Sequence, residues 1–343
     1  MKQSRSPLAQ AVSEFCAQIG TDPLLVQGPG GNVSWKEDDV LWIKASGKWL
    51  ADAKSGEIFV PVDLPHLQEA LAKSDFTASP NSLNSSQLRP SIETLLHVLM
   101  PHKVVVHLHP IEMLAHLVRN NQKEEITRLV GQKVNWIYVD YFRPGAELAE
   151  AVSLQLENPA EIDAIFLGNH GVLIGGEDIE MVSITMDVLT SALKQDILLH
   201  PESNRSLISS SEPSLDGYKV CADAQVNQLV FDETLIQILR TAWALYPDHV
   251  VFLGAEPVIL DNASQLSDWE QSTDTKPAFV FVLGDGVYES CDVTLAQKSQ
   301  LRCYYDVAIR LSIHDELTTL TNQQVWEIVS WESEKHRLSQ NVL

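Results

Sequence analysis

The chain has 343 residues, 45% of them hydrophobic, and a formal charge of −22. That length suits one large or two ordinary domains, and the acidic excess argues against nucleic acid or an anionic membrane as partner. No apolar run approaches the roughly 20 residues that span a bilayer, and the first ten residues lack the apolar core of a secretory signal. Cys16, Cys221, Cys291 and Cys303 show no paired spacing. They read as reduced thiols, which implies a cytoplasmic protein.

In chain order, the first informative stretch is Gln27-Gly-Pro-Gly-Gly-Asn-Val-Ser-Trp-Lys36, followed by Leu41-Trp-Ile-Lys-Ala-Ser-Gly-Lys-Trp-Leu50. Two short strands here bracket glycine-rich and Ser-Gly turns. Most such turns are only turns, but they can expose successive backbone N–H groups and suit an anion such as phosphate. Pro90 and Ser91 then open a helix with the apolar stripe Ile92, Leu95, Leu96, Leu99, and Glu93 falls in its first turn. Glu93 has two readings. It is either an exposed acid favoured by the helix dipole, or a carboxylate held beside a metal, able to ligate it or to take a proton.

Residues 104–110, Val-Val-Val-His-Leu-His-Pro, carry the densest signal. The β-branched run reads as a buried strand, and residues two apart on a strand share a face. His107 and His109 therefore converge at a strand end that Pro110 terminates. A single strand histidine is commonly a core residue, but two unengaged imidazoles in one apolar strand are costly to bury. His170 sits in a similar setting, a glycine-flanked break between apolar runs at 164–174. Three neutral imidazoles with one open position form the usual catalytic zinc site.

A helix is expected over 177–199, with Ile179, Val182, Met186, Leu189 and Leu193 on one face. Residues 201–228, rich in Ser, Pro and Glu, read as a linker or long loop. This divides the chain into a unit at 1–200 and a smaller α/β segment at 229–343. The second segment reads as helix 233–245, strands 249–254, 278–283 and 286–289, and helices near 293–312 and 322–336. Its Tyr246-Pro-Asp-His-Val-Val-Phe-Leu-Gly and Pro277-Ala-Phe-Val-Phe-Val-Leu-Gly-Asp-Gly echo the stretches around 100–109 and 163–171. If the echo is a repeat, Phe252, Gly254 and Asp285 replace the histidines, and the copy is metal-free. Two unrelated strand-turn-helix units explain the pattern equally well.

Five ordered motifs, Gly31-Asn32-Val33-Ser34, Ser46-Gly47, Pro90-Ser91-Ile92-Glu93, His107-Leu108-His109-Pro110 and Asn169-His170-Gly171, resemble the class II aldolase and adducin-head family. That family includes fuculose-phosphate and rhamnulose-phosphate aldolases and ribulose-phosphate 4-epimerase. The resemblance covers roughly residues 8–200. It implies a three-layer α/β/α fold with a mostly antiparallel central sheet, where patterning alone gives only α/β.

The resemblance further implies one Zn2+ per chain on His107, His109 and His170. Glu93 becomes the acid/base carboxylate, which also closes the metal shell when no substrate is bound. Gly31, Asn32, Ser46, Gly47 and Ser91 become the phosphate or carboxylate cradle. Ile92 departs from the family's serine, removing one hydroxyl, and Lys44 and Lys48 flank the Ser-Gly turn as compensating cations. The family's homo-oligomers, here a dimer or tetramer, place sites at subunit interfaces. Tyr138, Tyr141, Phe142 and Arg143 are rim candidates, though an ordinary aromatic strand leading into a turn fits them slightly better.

The expected activity is a zinc-dependent aldolase cleaving a ketose phosphate or related hydroxy-carbonyl compound through a metal-stabilised enediolate. A zinc-dependent sugar-phosphate 4-epimerase is the nearest alternative. A non-catalytic, adducin-like assembly module fits less well, because the three histidines are present. No dinucleotide fingerprint or Walker-type Lys-Ser follows a strand, so no nucleotide cofactor is expected.

Overall fold

The computed structural model describes residues 6–197, 217–266, 269 and 276–340. Among these residues the larger sheet has seven strands: β1 Asn32–Glu37, β2 Val40–Lys44, β3 Phe59–Asp63, β4 Val104–Leu108, β5 Trp136–Val139, β6 Ala164–Leu167 and β7 Gly171–Gly176. They lie in the order β3-β2-β1-β4-β7-β6-β5. Every pairing is antiparallel except β5 with β6.

Strand alternation sorts the sheet's side chains into two cores. Val104, Val106, Leu108, Phe166, Val172 and Ile174 pack with helices α1 Pro7–Ile19, α4 Ile111–Leu117, α5 Gln122–Val130 and α7 Ile179–Leu193. On the other face, Leu41, Ile43, Val105, Ile165, Leu167 and Leu173 pack with α2 Leu64–Ala72, α3 Thr94–Leu99 and α6 Ala146–Gln155. The result is the expected three-layer α/β/α unit with a mostly antiparallel sheet. Its central strand β4 is buried on both faces, which is why its sequence is apolar apart from His107 rather than alternating.

The smaller α/β segment holds a second sheet, β8-β11-β10-β9, of β8 Tyr218–Val220, β9 Val258–Leu260, β10 Phe279–Val282 and β11 Gly286–Ser290. Around it lie α8 Glu233–Thr241, α9 Pro247–Leu253, α10 Leu295–Ala308, α11 Asn322–Val329 and α12 Glu332–Ser339. Of the expected linker, residues 201–216 fall outside the described residues. From β8 onward the chain is built into this sheet, and a 3-10 turn at Val226–Val230 is buried in its core.

Several expected elements differ from those observed. Residues 249–254 form most of helix α9 and its end, not a strand. The apolar run there is too short for periodicity to decide, whereas Pro247 in the first turn and Gly254 (φ +91°) at the end are helix start and stop residues. The helix expected at 322–336 breaks at Ser330–Trp331 into α11 and α12, and α11 is opened by a Thr321–Gln324 capping box. The internal echo divides in two. A parallel β9–β10 pair, an antiparallel β10–β11 pair and α10 repeat the pattern of β5, β6, β7 and α7. By contrast, β4 and α9 share no secondary structure.

The two segments share a core. Met113 and Leu117 of α4 face the large sheet, while Ile111, Leu114, Ala115 and Val118 pack with Leu239, Tyr304 and Leu311 of the second segment. Partly buried ion pairs reinforce the join: Arg119 with Asp315 at 3.1 Å and Arg310 with Glu112 at 2.9 Å.

Candidate active site

The β4 register places the site. Val105 packs toward α3, so His107, two residues on, points to the same side, and His109 follows just past the strand end. Asn32 of β1 lies directly across from His107. His170 arrives on the β6–β7 turn, where Asn169 adopts a left-handed backbone (φ +49°) that asparagine tolerates better than most residues. The Asn169 amide donates to Leu245 O at 3.0 Å and Thr318 O at 2.7 Å, so this turn is pinned to the second segment. Gly171 is required by close approach: a Cβ there would lie 2.4 Å from Leu108 O and 2.7 Å from His109 Cδ2.

The three imidazoles form a buried cluster with ring centroids 4.9–5.2 Å apart. His107 Nδ1 donates to Val172 O at 3.1 Å, and His109 Nδ1 faces Asp248 Oδ2 at 3.4 Å. Those outer partners turn the Nε2 lone pairs inward, and the two Nε2 atoms stand 3.0 Å apart. Burial pushes His107 down to about 4 and His170 to about 3, so both are neutral near pH 7. Desolvation is the largest cause for each, and the neighbouring Glu93 opposes it.

Glu93 sits one residue earlier than expected, at the N-cap of α3 rather than inside its first turn, and its side chain makes no cap hydrogen bond. The carboxylate turns instead to the histidines, with Oε2 3.4 Å from His107 Nε2 and Oε1 3.3 Å from His170 Nε2. It is buried, not the exposed acid of the simpler reading. Burial disfavours its charge, but the facing imidazoles and the Asn32 amide outweigh that and hold the carboxyl at about 2. Asn32 Nδ2 donates to Glu93 Oε2 at 2.9 Å. His97 Nε2 in turn donates to Asn32 Oδ1, and Ser34 Oγ donates to His97 Nδ1 at 2.7 Å. This buried Ser34–His97–Asn32 relay fixes the carboxylate's position.

The donor set fits a cation. Two inward Nε2 lone pairs face each other, and among the described residues Glu93 Oε1 is buried without a hydrogen-bond partner. One ligand atom from each histidine lies within 4.8 Å of the others. Nitrogens bound at about 2.0–2.1 Å in a tetrahedral shell lie roughly 3.3 Å apart.

Gly31, Asn32, Ser46, Gly47 and Ser91 line one cleft together with Glu93, His109 and His170. Gly31 (φ +61°) and Gly47 (φ +75°) both take backbone conformations that favour glycine. Some donors expected to face an anion are engaged elsewhere: Ser46 N–H donates to Arg89 O at 2.9 Å, and the Asn32 amide holds Glu93. Ile92 lines the cleft where the family carries a hydroxyl. Lys44 is buried and donates from Nζ to Pro29 O at 2.9 Å and Lys48 O at 2.6 Å, tying the two glycine turns together. Burial, helped by Arg337, pushes Lys44 down to about 7. Lys48 contributes only its carbonyl to this arrangement.

The rest of the cleft wall comes from residues that sequence reasoning did not single out. Asp248 of α9 and Glu334 and Arg337 of α12 all line it. Arg337 grips Asp248 with both Nη atoms, at 2.5 and 2.9 Å, and α12 packs on Gly47, whose missing Cβ would lie 2.9 Å from Gln340 Cβ. A buried charge leaves no periodic trace in a sequence, so no local signal marked these three. None of the four rim candidates lines the cleft. Tyr138 is buried in the sheet's core, and Phe142 is exposed. Tyr141 packs with Phe252 and Leu338, and Arg143 stacks on Trp331 at 5.4 Å.

Residues 10–197 match the family model for the Class II Aldolase and Adducin N-terminal domain, and the chain belongs to that family. It is 29% identical over 178 residues to the uncharacterized oxidoreductase YuxG of Bacillus subtilis (strain 168), a match covering 47% of this chain and 25% of that protein. The chain thus spans about a quarter of the length of that relative. An L-fuculose phosphate aldolase of Methanocaldococcus jannaschii is 28% identical over 186 residues, covering 52% of this chain and 89% of that one. Among solved structures, the N-terminal class II aldolase domain of a conserved protein from Thermoplasma acidophilum is similar over 56% of this chain and 94% of that one, at 26% identity and a TM-score of 0.47. Asp248, Glu334 and Arg337 all lie beyond the residues matched by the family model.

Proposed function

We propose that the chain is a zinc-dependent carbon–carbon lyase acting on a hydroxy-carbonyl compound, a phosphorylated ketose in particular. One observation carries this reading: a buried carboxylate oxygen without a hydrogen-bond partner, aimed into three convergent imidazoles. His107, His109 and His170 hold the ion in this proposal, and Glu93 closes the shell when substrate is absent. A divalent ion held there supplies Lewis-acid stabilisation of the negative charge that develops on a carbonyl oxygen. Glu93, positioned by Asn32, moves the proton at the carbon next to that carbonyl. Gly31, Ser46, Gly47 and Ser91, with Lys44 behind them, receive the anionic end of the substrate, and Asn32 serves both tasks. The similarity to L-fuculose phosphate aldolases supports the choice of substrate class.

We further read residues 1–200 as the zinc unit and 229–343 as a segment that closes its site within one chain. Homo-oligomeric assembly, as a dimer or tetramer, and a cytoplasmic location complete the proposal. The location is supported by four unpaired cysteines, three of them buried, and among the described residues no helix is long and apolar enough to cross a membrane. The test is to incubate zinc-loaded protein with a panel of ketose phosphates and 2-keto acids and identify products by NMR. Release of an aldehyde supports the lyase, whereas an epimeric sugar alone, or no turnover of any compound, rejects it.

A further inference from the structure

Making or breaking a carbon–carbon bond beside a carbonyl moves two protons. One is exchanged at carbon, the other at the oxygen that is a hydroxyl in the joined compound and a carbonyl in the aldehyde fragment. Glu93 serves the first position and needs a partner for the second. A second carboxyl lines the same cleft: Glu334, carried by α12. Its side chain is only 6% exposed, and among the described residues Oε2 has no hydrogen-bond partner within ordinary hydrogen-bond geometry. The nearest cation, Arg337 Nη1, stands 3.5 Å away and is engaged by Asp248. A carboxyl buried in a polar cleft, whose Oε2 faces only a long contact to an arginine that Asp248 already engages, is poorly explained by packing alone, since a poorly satisfied polar atom costs stability.

We propose that Glu334 is the second proton-transfer residue of this site, serving the substrate oxygen that interconverts between hydroxyl and aldehyde carbonyl. The inference rests on the lyase reading. In the bond-forming direction, the Glu93 carboxylate takes a proton from the carbon next to the ketone. The electron pair left behind attacks the aldehyde carbon, the carbonyl π pair moves onto the aldehyde oxygen, and that oxygen takes the Glu334 proton. Glu93 ends protonated and Glu334 ionised, and both return through solvent. Cleavage runs the same steps backward.

The charges around Glu334 suit this division. Burial pushes it up to about 7, opposed by Arg337 on its own helix and aided by Asp248 of α9 and by Glu93. The other titratable side chains lining the cleft are Lys44 of β2, His109 and His170. Near neutral pH both forms of Glu334 are populated, which suits a group that must give a proton in one direction and take it in the other.

The experiment uses the zinc-loaded chain with dihydroxyacetone phosphate, following exchange of its carbon-bound hydrogen in D2O, then its addition to glycolaldehyde, both by NMR. Glu334→Gln is expected to keep exchange within about threefold of wild type and to lose addition by roughly 10²–10⁴-fold. Addition by the wild type should fall as pH rises through about 7, and this limb should vanish in the variant. Unchanged addition, or equal loss of both reactions, overturns the proposal. A wild-type protein that exchanges no hydrogen overturns the lyase reading itself. Should Glu334→Gln not fold, carboxyl-13C titration of the wild type, assigned with Glu334→Asp, decides the matter: a midpoint near that of an ordinary glutamate overturns the proposal.

Discussion

Of the three candidate ligand histidines, His107 is held by Val172 O and His109 by Asp248, whereas His170 Nδ1 has no hydrogen-bond partner among the described residues. His107→Ala and His170→Ala are each expected to abolish stoichiometric zinc, measured by metal analysis after dialysis against a weak chelator. Full metal retention by both variants would remove the proposed centre. Glu93→Gln keeps its Asn32 contact, since an amide oxygen accepts from Asn32 Nδ2 as the carboxylate does, so the fold survives while the acid/base function is lost. Turnover should drop by about 10²–10⁴-fold, and near-normal activity would reduce Glu93 to a structural role. Ile92→Ser restores the hydroxyl absent from the cleft and should tighten a phosphorylated substrate by roughly tenfold, as one hydrogen bond to a charged group would. Weaker or unchanged binding would point instead to an apolar, non-phosphorylated ligand against Ile92. His249 is a separate case. Buried among Trp243, Tyr246 and Tyr304, with neither ring nitrogen hydrogen-bonded among the described residues, it is pushed down to about 3. The unfolded chain binds its proton first, so stability is lost as pH falls from about 6.5 toward 3. His249→Phe should flatten that part of the pH–stability curve, as read from denaturant midpoints.

Two elements hold the site together, the β6–β7 turn and helix α12. Asn169 supplies the left-handed backbone and two hydrogen bonds to the second segment. Asn169→Ala should cost about 2 kcal/mol of stability and loosen metal binding, because it strains the turn and leaves one buried and one partly buried carbonyl unpaired. Denaturant unfolding and chelator competition measure the two effects, and loss of neither would show that the turn is held by packing alone. Helix α12 should respond to pH through Glu334. Its folded-state value of about 7 lies above the ordinary 4.5, so the folded chain binds the extra proton and stability falls as pH rises between them. Amide exchange in α12, corrected for intrinsic rates, should be slower at pH 5 than at pH 8, with the difference absent in Glu334→Gln. Much of this was legible locally. The His-x-His spacing, the glycine turns and the β4 run follow from strand periodicity. Helix α9 was misread because an apolar run as short as 249–254 satisfies helix and strand alike.

Across the molecule, the second segment is packed into the first through α4 and supplies three of the charged residues that line the cleft. The α/β class and the three candidate histidines could be read from the residues, because they depend on alternation along a strand and on a glycine-flanked turn. The three-layer arrangement and the choice of Glu93 as acid/base followed only from the resemblance of the five motifs to the class II aldolase and adducin-head family. Folding in three dimensions was needed for the direction of the Glu93 carboxylate, its support by Asn32 and His97, and the closure of the cleft by Asp248, Glu334 and Arg337. Those contacts join residues far apart in the chain, such as Arg337 and Asp248, 89 positions from each other. No local period encodes such a pairing. It arises when shared burial of α4 and α9 brings a helix from the end of the chain onto the glycine turns near its start, where the cost of desolvation favours pairing Asp248 with Arg337.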